Sequence, residues 1–214
     1  MPAATIKPSD LKPGHPAVTK SGRWTAQARR VLNRPILRSR YRTGDDEFRK
    51  NPIRNTPLLN QIADYLEVFP EAWNQTVWGA PKEKTPCGTA FCIAGTAVHE
   101  TNWKPTYSDT AWFDEITDRW MPGDNWEEIT RGNDAVILVN VAAAIELGLT
   151  KAESNYLFDA EWRPKKGQSV SEVLRLIGQG AQIETLGLGD GAYAEDIEIE
   201  YEDGHKIRVS GVKP

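Results

Sequence analysis

Apolar residues recur at helical spacing along two long stretches of the chain. Between residues 56 and 69 they return every three or four positions, with Thr56 placed to cap the start and Pro70 directly after the end. Between residues 134 and 147 almost every side chain is apolar, and Gly148 stops the run. The first pattern predicts an amphipathic helix, and the second predicts a central helix that is buried on all sides.

Capping signals mark three shorter helices. Thr25 can cap a helix of about two turns that begins the ordered part of the N-terminal region. Thr150 with Glu153, and Ser169 with Glu172, have the spacing of a capping box, in which each residue of the pair bonds the backbone N–H of the other. We therefore expect short helices directly after residues 25, 150 and 169.

The stretch TPCGTAFCIAGTAVHE, residues 85 to 100, predicts a helix of a different kind. Thr89 can cap it, so that it runs from about residue 90 to residue 99 with Cys92 in its first turn. Its alanines and glycine remove side-chain bulk from successive turns, which lets another backbone approach closely. We expect this helix to pack beneath the helix of residues 134 to 147.

The C-terminal region carries the period of strands. Isoleucines at 197 and 199 alternate with acidic residues, Asp203-Gly204 forms a turn, and Ile207 and Val209 alternate on the return. This pattern predicts a β-hairpin in which acidic residues of one strand face Lys206 and Arg208 of the other.

Together these elements predict an α+β fold that is mainly α. We divide the chain into a basic, largely extended arm with one short helix (residues 1–54), a compact helical domain (55–179) and a C-terminal β-hairpin tail (180–214). Residues 1 to 22 contain four prolines and hardly any large apolar side chain, so we expect them to be mobile unless a partner binds them.

Charge separates the arm from the rest. The whole chain of 214 residues carries a net charge of -4. Residues 1–54 contain 13 Lys/Arg against 4 Asp/Glu, whereas the remaining 160 residues contain 13 Lys/Arg against 26 Asp/Glu. Such asymmetry is typical of an extension with its own interaction, but the arm can equally lie across its own acidic body. The sequence leaves both readings open.

The composition is that of a soluble globular protein, with 39% hydrophobic and 26% charged residues. No apolar run approaches the length of about 18 residues that a membrane span requires, and the N-terminus lacks the apolar region of a signal peptide. We therefore expect a cytoplasmic protein, in a host cytoplasm or a virion if it is phage-encoded, with no membrane partner and with reduced cysteines.

The two cysteines permit two chemical hypotheses beside simple burial. A helix N-terminus lowers the pKa of a thiol, so Cys87 or Cys92 could act as a nucleophile with His205 as the base, because His99 lies too far along the helix from Cys92. Alternatively Cys87, Cys92 and His99 could bind zinc, which would require a fourth ligand. We rank both below the reading in which the thiols are buried and free of metal, and we expect neither a catalytic site nor a cofactor.

Residues 103–126 form a Trp-rich insert with four of the eight tryptophans of the chain. Trp side chains are favoured at the centres of interfaces, so Trp112 and Trp120 are candidates for partner binding. The reading that we rank first is that these rings fill the core of a domain built from short helices.

A helix, the turn LGLT and a short second helix resemble a helix-turn-helix between residues 134 and 157. Its second helix would offer Lys151, Ser154 and Asn155 to a groove of DNA. The helix carries one lysine and one glutamate and belongs to an acidic body, which disfavours contact with phosphates. A plain helical hairpin therefore ranks ahead of this reading.

Three segments, PEAWNQTVWG, CGTAFCIAGTAV and AAAIELGLTKAESNYLFDAEWRP, together resemble a family of uncharacterised bacterial and actinobacteriophage proteins with a C-G-T-x-x-C-x-A-G helix motif. The resemblance covers about residues 56 to 164. It implies a small helical module of phage origin and supplies no activity. Thr96 stands where members of that family often have a large aromatic residue.

The function predicted from the sequence is binding rather than catalysis. We expect a non-enzymatic interaction or structural protein of phage origin, with a macromolecular partner bound by the basic arm and by the Trp-rich insert. A protein partner ranks first, and the alternatives are a helix-turn-helix-like protein that binds nucleic acid and a Cys/His hydrolase. The residues expected to contact the partner are Arg29, Arg30, Arg38, Arg40, Arg42, Trp112 and Trp120.

Overall fold

The computed structural model describes residues 6–42, 44–45, 47–75, 80–81, 89–105, 112–114, 119–121, 128–131, 136–159, 162–183, 197–200 and 206–209. Within these ranges the fold is mainly helical, as the sequence predicts. The helices are α1 (Ala26–Leu32), α2 (Thr56–Val68), α3 (Ile93–Glu100), α4 (Val139–Leu147), α5 (Lys151–Leu157) and α6 (Val170–Gly178). None of them combines the length and apolarity that crossing a membrane would require.

Short antiparallel strands connect and follow the helices. Their bounds are β1 (Ala80–Pro81), β2 (Thr89–Ala90), β3 (Lys104–Pro105), β4 (Trp112–Asp114), β5 (Arg119–Met121), β6 (Glu128–Thr130), β7 (Ile137–Leu138), β8 (Ile197–Glu200) and β9 (Lys206–Val209). They form the two-stranded pairs β1-β2, β4-β5 and β8-β9 and a three-stranded sheet in the order β3-β6-β7. The patterns in the sequence indicated only the C-terminal hairpin, whereas the region between α3 and α4 also pairs as strands.

The C-terminal hairpin agrees with the prediction from alternation. In the register of β8 and β9, Glu198 is paired with Arg208 and Glu200 with Lys206. Acidic and basic residues therefore occupy opposite positions on the two strands, which is the arrangement that offsets their charges.

Helix α2 lies at the centre of the helical body and contacts α1, α3, α4 and α6. It starts one residue earlier than predicted, because the side chain of Asn55 rather than that of Thr56 caps it by accepting the N–H of Leu58. Pro70 lies two residues past its last residue and begins a short 3-10 turn. The buried face of α2 comprises Leu58, Leu59, Ile62, Ala63, Tyr65, Leu66 and Val68.

Helices α3 and α4 pack against each other, as the small residues of α3 predicted. Both helices begin later than expected. Residues 89 and 90 belong to β2, so Cys92 is the N-cap of α3 and not part of its first turn. Ile137 and Leu138 form β7 against β6, so α4 begins at Val139. Residues 89, 90, 137 and 138 therefore pair as strands, although the apolar pattern alone assigned them to the helices.

The arm packs on the body. Ala17, Ala28, Val31 and Tyr41 are buried and belong to the same hydrophobic core as the body helices. The cap on α1 is the predicted one, with Thr25 Oγ1 accepting the N–H of Ala28. Between residues 6 and 22 the arm buries Ala17 in that core, with Leu11 and Val18 packed against it, and the mobility expected for residues 1 to 22 stays a prediction.

His15 attaches the early part of the arm. Its Nδ1 accepts the N–H of Ala17 at 3.1 Å, so its Nε2 donates to Glu71 Oε2 at 3.0 Å. Its ring lies against Phe69, with ring centroids 6.0 Å apart. His15 is therefore a contact between the arm and the body.

Gly148 allows the arm to approach the turn between α4 and α5. It adopts the left-handed conformation at φ 71, and a Cβ at this position would lie 2.0 Å from the carbonyl oxygen of Ile53. The backbone at Ile53 therefore passes where a side chain would otherwise be.

We predict that Gly148→Ala destabilises the protein far more than Gly167→Ala. Both glycines have positive φ, but only Gly148 meets another backbone, while nothing lies within 4 Å of the position of a Cβ on Gly167. The control should cost about 1 kcal/mol for the left-handed conformation alone, and Gly148→Ala should cost at least about 3 kcal/mol because the backbone must shift. Urea denaturation of both variants measures the difference, and equal losses would contradict the close approach of Ile53.

Candidate functional site

The basic arm binds the body through two buried carboxyl groups. The first belongs to Glu100, at the end of α3, which is 4% exposed. Arg34 donates to both of its oxygens, with Nε at 2.6 Å from Oε2, and Gln61 Nε2 donates to Oε2 at 2.7 Å. Leu37 N–H donates to the backbone carbonyl of Glu100 at 3.2 Å. Donors from the arm and from α2 therefore satisfy a side chain that has almost no contact with water.

The electrostatics of Glu100 follow from these contacts. Burial raises the pKa of the Glu100 carboxyl. Hydrogen bonds from His99, Arg34 and Gln61, together with the charge of Arg34, lower this pKa by a larger amount, so that it falls from 4.5 to about 2. Arg34 also lies over the ring of Tyr65 at 4.3 Å. The guanidinium therefore joins the arm to α2 and α3 at once.

The second carboxyl group belongs to Glu146 on α4 and is fully buried, with 0% exposure. It accepts hydrogen bonds from the hydroxyl of Ser39, from the N–H of Arg40 at 2.7 Å and from Trp103 Nε1 at 2.9 Å. The Asn55 side chain also donates to the backbone carbonyl of Glu146 at 2.7 Å. Two of the three donors to the carboxyl belong to the arm. We call residues 34–40, which reach both carboxyl groups, the docking segment.

Arginines fold the remainder of the arm by donating to backbone carbonyls. Arg49 donates to the carbonyl of Arg40 at 2.8 Å, and Arg40 donates to that of Ile53 at 2.5 Å. Arg54 donates to the carbonyl of Gly148 at 3.1 Å and pairs with Glu153 at 2.6 Å. These bonds join Arg40, Arg49 and Ile53 to one another and hold Arg54 against the turn that joins α4 and α5.

The outer surface of the arm remains strongly basic. Nine of its lysines and arginines are exposed, and none makes an ion pair with a residue that the structure describes. These exposed cations are Lys7, Lys12, Lys20, Arg23, Arg29, Arg30, Arg38, Arg42 and Lys50. The cations that face the body are paired, and those that face solvent are available to a partner.

The arginines predicted to contact a partner include some that face solvent and one that faces the body. Arg29, Arg30, Arg38 and Arg42 lie on the exposed side, whereas Arg40 is partly buried and its donors are used inside the molecule. Their role in binding stays a prediction.

The Trp-rich insert contains the antiparallel pair β4-β5. Phe113 is paired with Trp120, and Trp112 with Met121, in its backbone register. Both candidate tryptophans therefore lie in one hairpin, and the part they play in binding also stays a prediction.

The thiol of Cys92, one of the two candidate nucleophiles, is buried. Burial raises the pKa of its thiol from 9.0 to about 12, against hydrogen bonds that include one from Gly95 N–H to Sγ at 3.3 Å. His99 is partly exposed and lies against the ring of Phe91 at 5.0 Å. Cys87 and His205 lie outside the described residues. Across the ranges that the structure describes, no three His, Cys, Asp or Glu side chains gather as metal ligands would.

One of the three residues that the helix-turn-helix hypothesis places against DNA is buried. Lys151 and Asn155 of α5 are exposed, but Ser154 is 1% exposed and its hydroxyl donates to the carbonyl of Lys151. The predicted capping box is present, since Thr150 Oγ1 accepts the N–H of Glu153 and Glu153 accepts the N–H of Thr150. Helix α5 therefore presents only two of the three polar side chains to solvent.

Comparison of the chain with protein-family models, with curated proteins and with solved structures found no match. The function is therefore inferred from the geometry of the molecule.

Sequence reasoning missed the two carboxyl groups that position the arm. Glu146 gave a signal, because it is the one charged residue in the apolar run of residues 136 to 147 and a buried charge needs partners. Glu100 gave none, because it follows His99 at the predicted end of a helix, where an exposed acid is ordinary. Neither residue indicated that its partners would come from the arm.

We predict that Arg34→Met lowers the free energy of unfolding by about 3 kcal/mol at pH 7, because it leaves a buried carboxylate without its cation. Arg38→Met, at an exposed position four residues along the same arm, is the matched control and should change stability by less than about 0.5 kcal/mol. Chemical denaturation of both variants measures the effect.

The same pair of variants has a predicted pH dependence. The pKa of Glu100 in the folded protein lies below its ordinary value, so its ionised form stabilises the fold above about pH 4.5 and this contribution is lost as the pH falls toward 2. The difference between wild type and Arg34→Met should therefore shrink across that range. A difference that stays constant down to pH 2 would contradict the pairing.

We predict that Cys92 reacts slowly with iodoacetamide in the folded protein. In a Cys87→Ser background, the raised pKa lowers the thiolate fraction at neutral pH roughly a thousand-fold relative to an exposed thiol. Mass spectrometry should find complete alkylation only after denaturation. Rapid alkylation of the folded variant would restore the hydrolase hypothesis.

Proposed function

We propose that this chain is a non-enzymatic binding protein that captures a macromolecular partner on the outer surface of its docked basic arm. The observation that supports the proposal is the division of the arm cations. Arg34 and Arg54 pair with body carboxylates, while nine exposed cations have no ion-pair partner among the described residues. An unpaired basic surface on a chain of net charge -4 attracts an anionic surface of another molecule.

A protein is the partner that these features favour. Ile36 and Ile53 are 66% and 81% exposed, and both lie on the arm among the exposed cations. Aliphatic side chains gain free energy when a protein covers them, whereas a phosphate backbone offers them no apolar surface. The burial of Ser154 also weakens the helix-turn-helix alternative.

The arm acts in its docked form in this proposal. Removing residues 1–50 would leave Glu146 with one of its three donors and Glu100 without Arg34. We therefore reject a deletion as a test of binding, because the body would lose stability together with the arm. Phage origin and a place in the host cytoplasm or in a virion belong to the same proposal and rest on the sequence resemblance and composition.

The test uses two triple variants of equal charge change. Arg29, Arg30 and Arg38 of the arm are replaced by Gln in one, and the exposed Lys104, Lys165 and Lys166 of the body in the other. Tagged proteins capture partners from a bacterial lysate with and without nuclease, and quantitative mass spectrometry compares them. We expect the arm variant to lose proteins that wild type and the body variant retain, by about tenfold or more.

Two outcomes would contradict this proposal. Equal capture by all three proteins would exclude the arm as the binding surface. Loss of all capture after nuclease treatment, with affinity for a DNA duplex that falls steeply with salt, would identify nucleic acid as the partner.

A further inference from the structure

A surface cavity of about 420 Å³ lies where the end of the arm meets the turn between α4 and α5. Its volume is within the range of sites that bind ligands or anchoring side chains. Neither the predicted contact residues of the arm nor the cysteines line it. The lining residues are Lys50, Asn51, Pro52, Arg54, Gly148, Thr150 and Glu153.

The charges of the cavity are unequal. Glu153 is already satisfied, because Arg54 pairs with it and both the N–H and the hydroxyl of Thr150 donate to it. Lys50 is exposed and makes no ion pair with any described residue. Lys151, directly after Thr150, is also exposed, with its amino group 6.0 Å from the centre of the Phe48 ring. Among the described residues that line the cavity, Lys50 is therefore a cation without an ion pair, and the Glu153 carboxylate is already paired.

An exposed aliphatic side chain stands beside the cavity. Ile53 lies between Pro52 and Arg54, which both line it, and is 81% exposed, more than any other large hydrophobic residue that the structure describes. Its backbone is well fixed, because its carbonyl accepts from Arg40 and passes against Gly148. The exposure of Ile53 is therefore a property of a fixed surface, and such a surface gains free energy when a partner covers it.

We propose that this cavity and Ile53 are the anchor point for an acidic segment of a protein partner that carries an aliphatic side chain. An acidic side chain of the segment would enter beside Lys50, and the aliphatic one would cover Ile53. This inference rests on the proposed function and adds the part of the arm that contributes most to binding. Charge complementarity excludes a basic segment, and a free anion would leave Ile53 uncovered.

The chain provides a matched control for each anchor residue. Ile53→Ser is compared with Val136→Ser, since both aliphatic side chains are exposed and only Ile53 lies on the arm. Lys50→Glu is compared with Lys166→Glu, since both lysines are exposed and only Lys50 lies on the arm. All four positions are exposed, so the variants should retain the fold, and circular dichroism with thermal melts checks that they do.

The probe is a random peptide display library selected on the full-length wild-type protein, followed by fluorescence anisotropy with the most enriched peptide. We expect enrichment of Asp and Glu with Leu, Ile or Val, and a loss of affinity of about tenfold or more in Ile53→Ser and in Lys50→Glu. The two controls should stay within about threefold of wild type. A short DNA duplex is titrated in parallel.

The remaining outcomes separate the two proposals. If the enriched acidic peptide keeps its affinity for Ile53→Ser and Lys50→Glu but loses it for the variant in which Arg29, Arg30 and Arg38 are replaced by Gln, the anchor point is wrong while the binding function of the arm stands. If the selected peptides are basic or lack aliphatic residues, the anchor chemistry is wrong. If no peptide is enriched and the duplex binds through all exposed cations alike, both proposals fail in favour of nucleic acid.

Discussion

The fold depends on the need of two buried carboxyl groups for hydrogen-bond donors. Glu100 and Glu146 lie on α3 and α4, the two most buried helices, where a carboxyl group without partners would cost several kcal/mol. The docking segment supplies Arg34 to one and Ser39 with the N–H of Arg40 to the other. An arm that composition marks as a separate, polar extension is therefore part of the stable domain, and the body cannot be considered without it.

The same two carboxyl groups also explain why some cations of the arm face the body and others face solvent. Cations whose side chains point inward donate to carboxylates and backbone carbonyls. Those on the other side of the same short segments remain exposed to solvent. Because the described residues between 34 and 54 are held at Glu100, Glu146 and Gly148, the exposed arginines and isoleucines among them lie on a fixed surface. A preorganised surface of this kind loses less conformational entropy on binding than a mobile tail would.

The helices and their caps followed from local physics, so they could be predicted. Capping boxes at Thr150 and Ser169, the stop at Gly148 and the alternation of the tail hairpin all involve residues a few positions apart, and the structure has each of them. The starts of α3 and α4 were misplaced because Thr89 pairs with Pro81 and Ile137 with Ile129 of the preceding strand, a pairing that the helical period of apolar residues does not reveal. In the candidate site, the exposed arginines were visible as a charge cluster, but Arg34, Glu100 and Glu146 were not visible as partners.

The sequence by itself determined the helical class, the small-residue contact of α3, the hairpin and the division of charge, because each depends on periodicity or composition along the chain. Only the tertiary structure decided where the arm goes. Arg34 and Glu100 are 66 positions apart, and Ser39 and Glu146 are 107 apart, so no local pattern connects them. The sequence was equally consistent with an arm in solvent and with an arm packed on its own body. The arm packs on the body because the buried carboxyl groups of Glu100 and Glu146 need hydrogen-bond donors, and the arm supplies them.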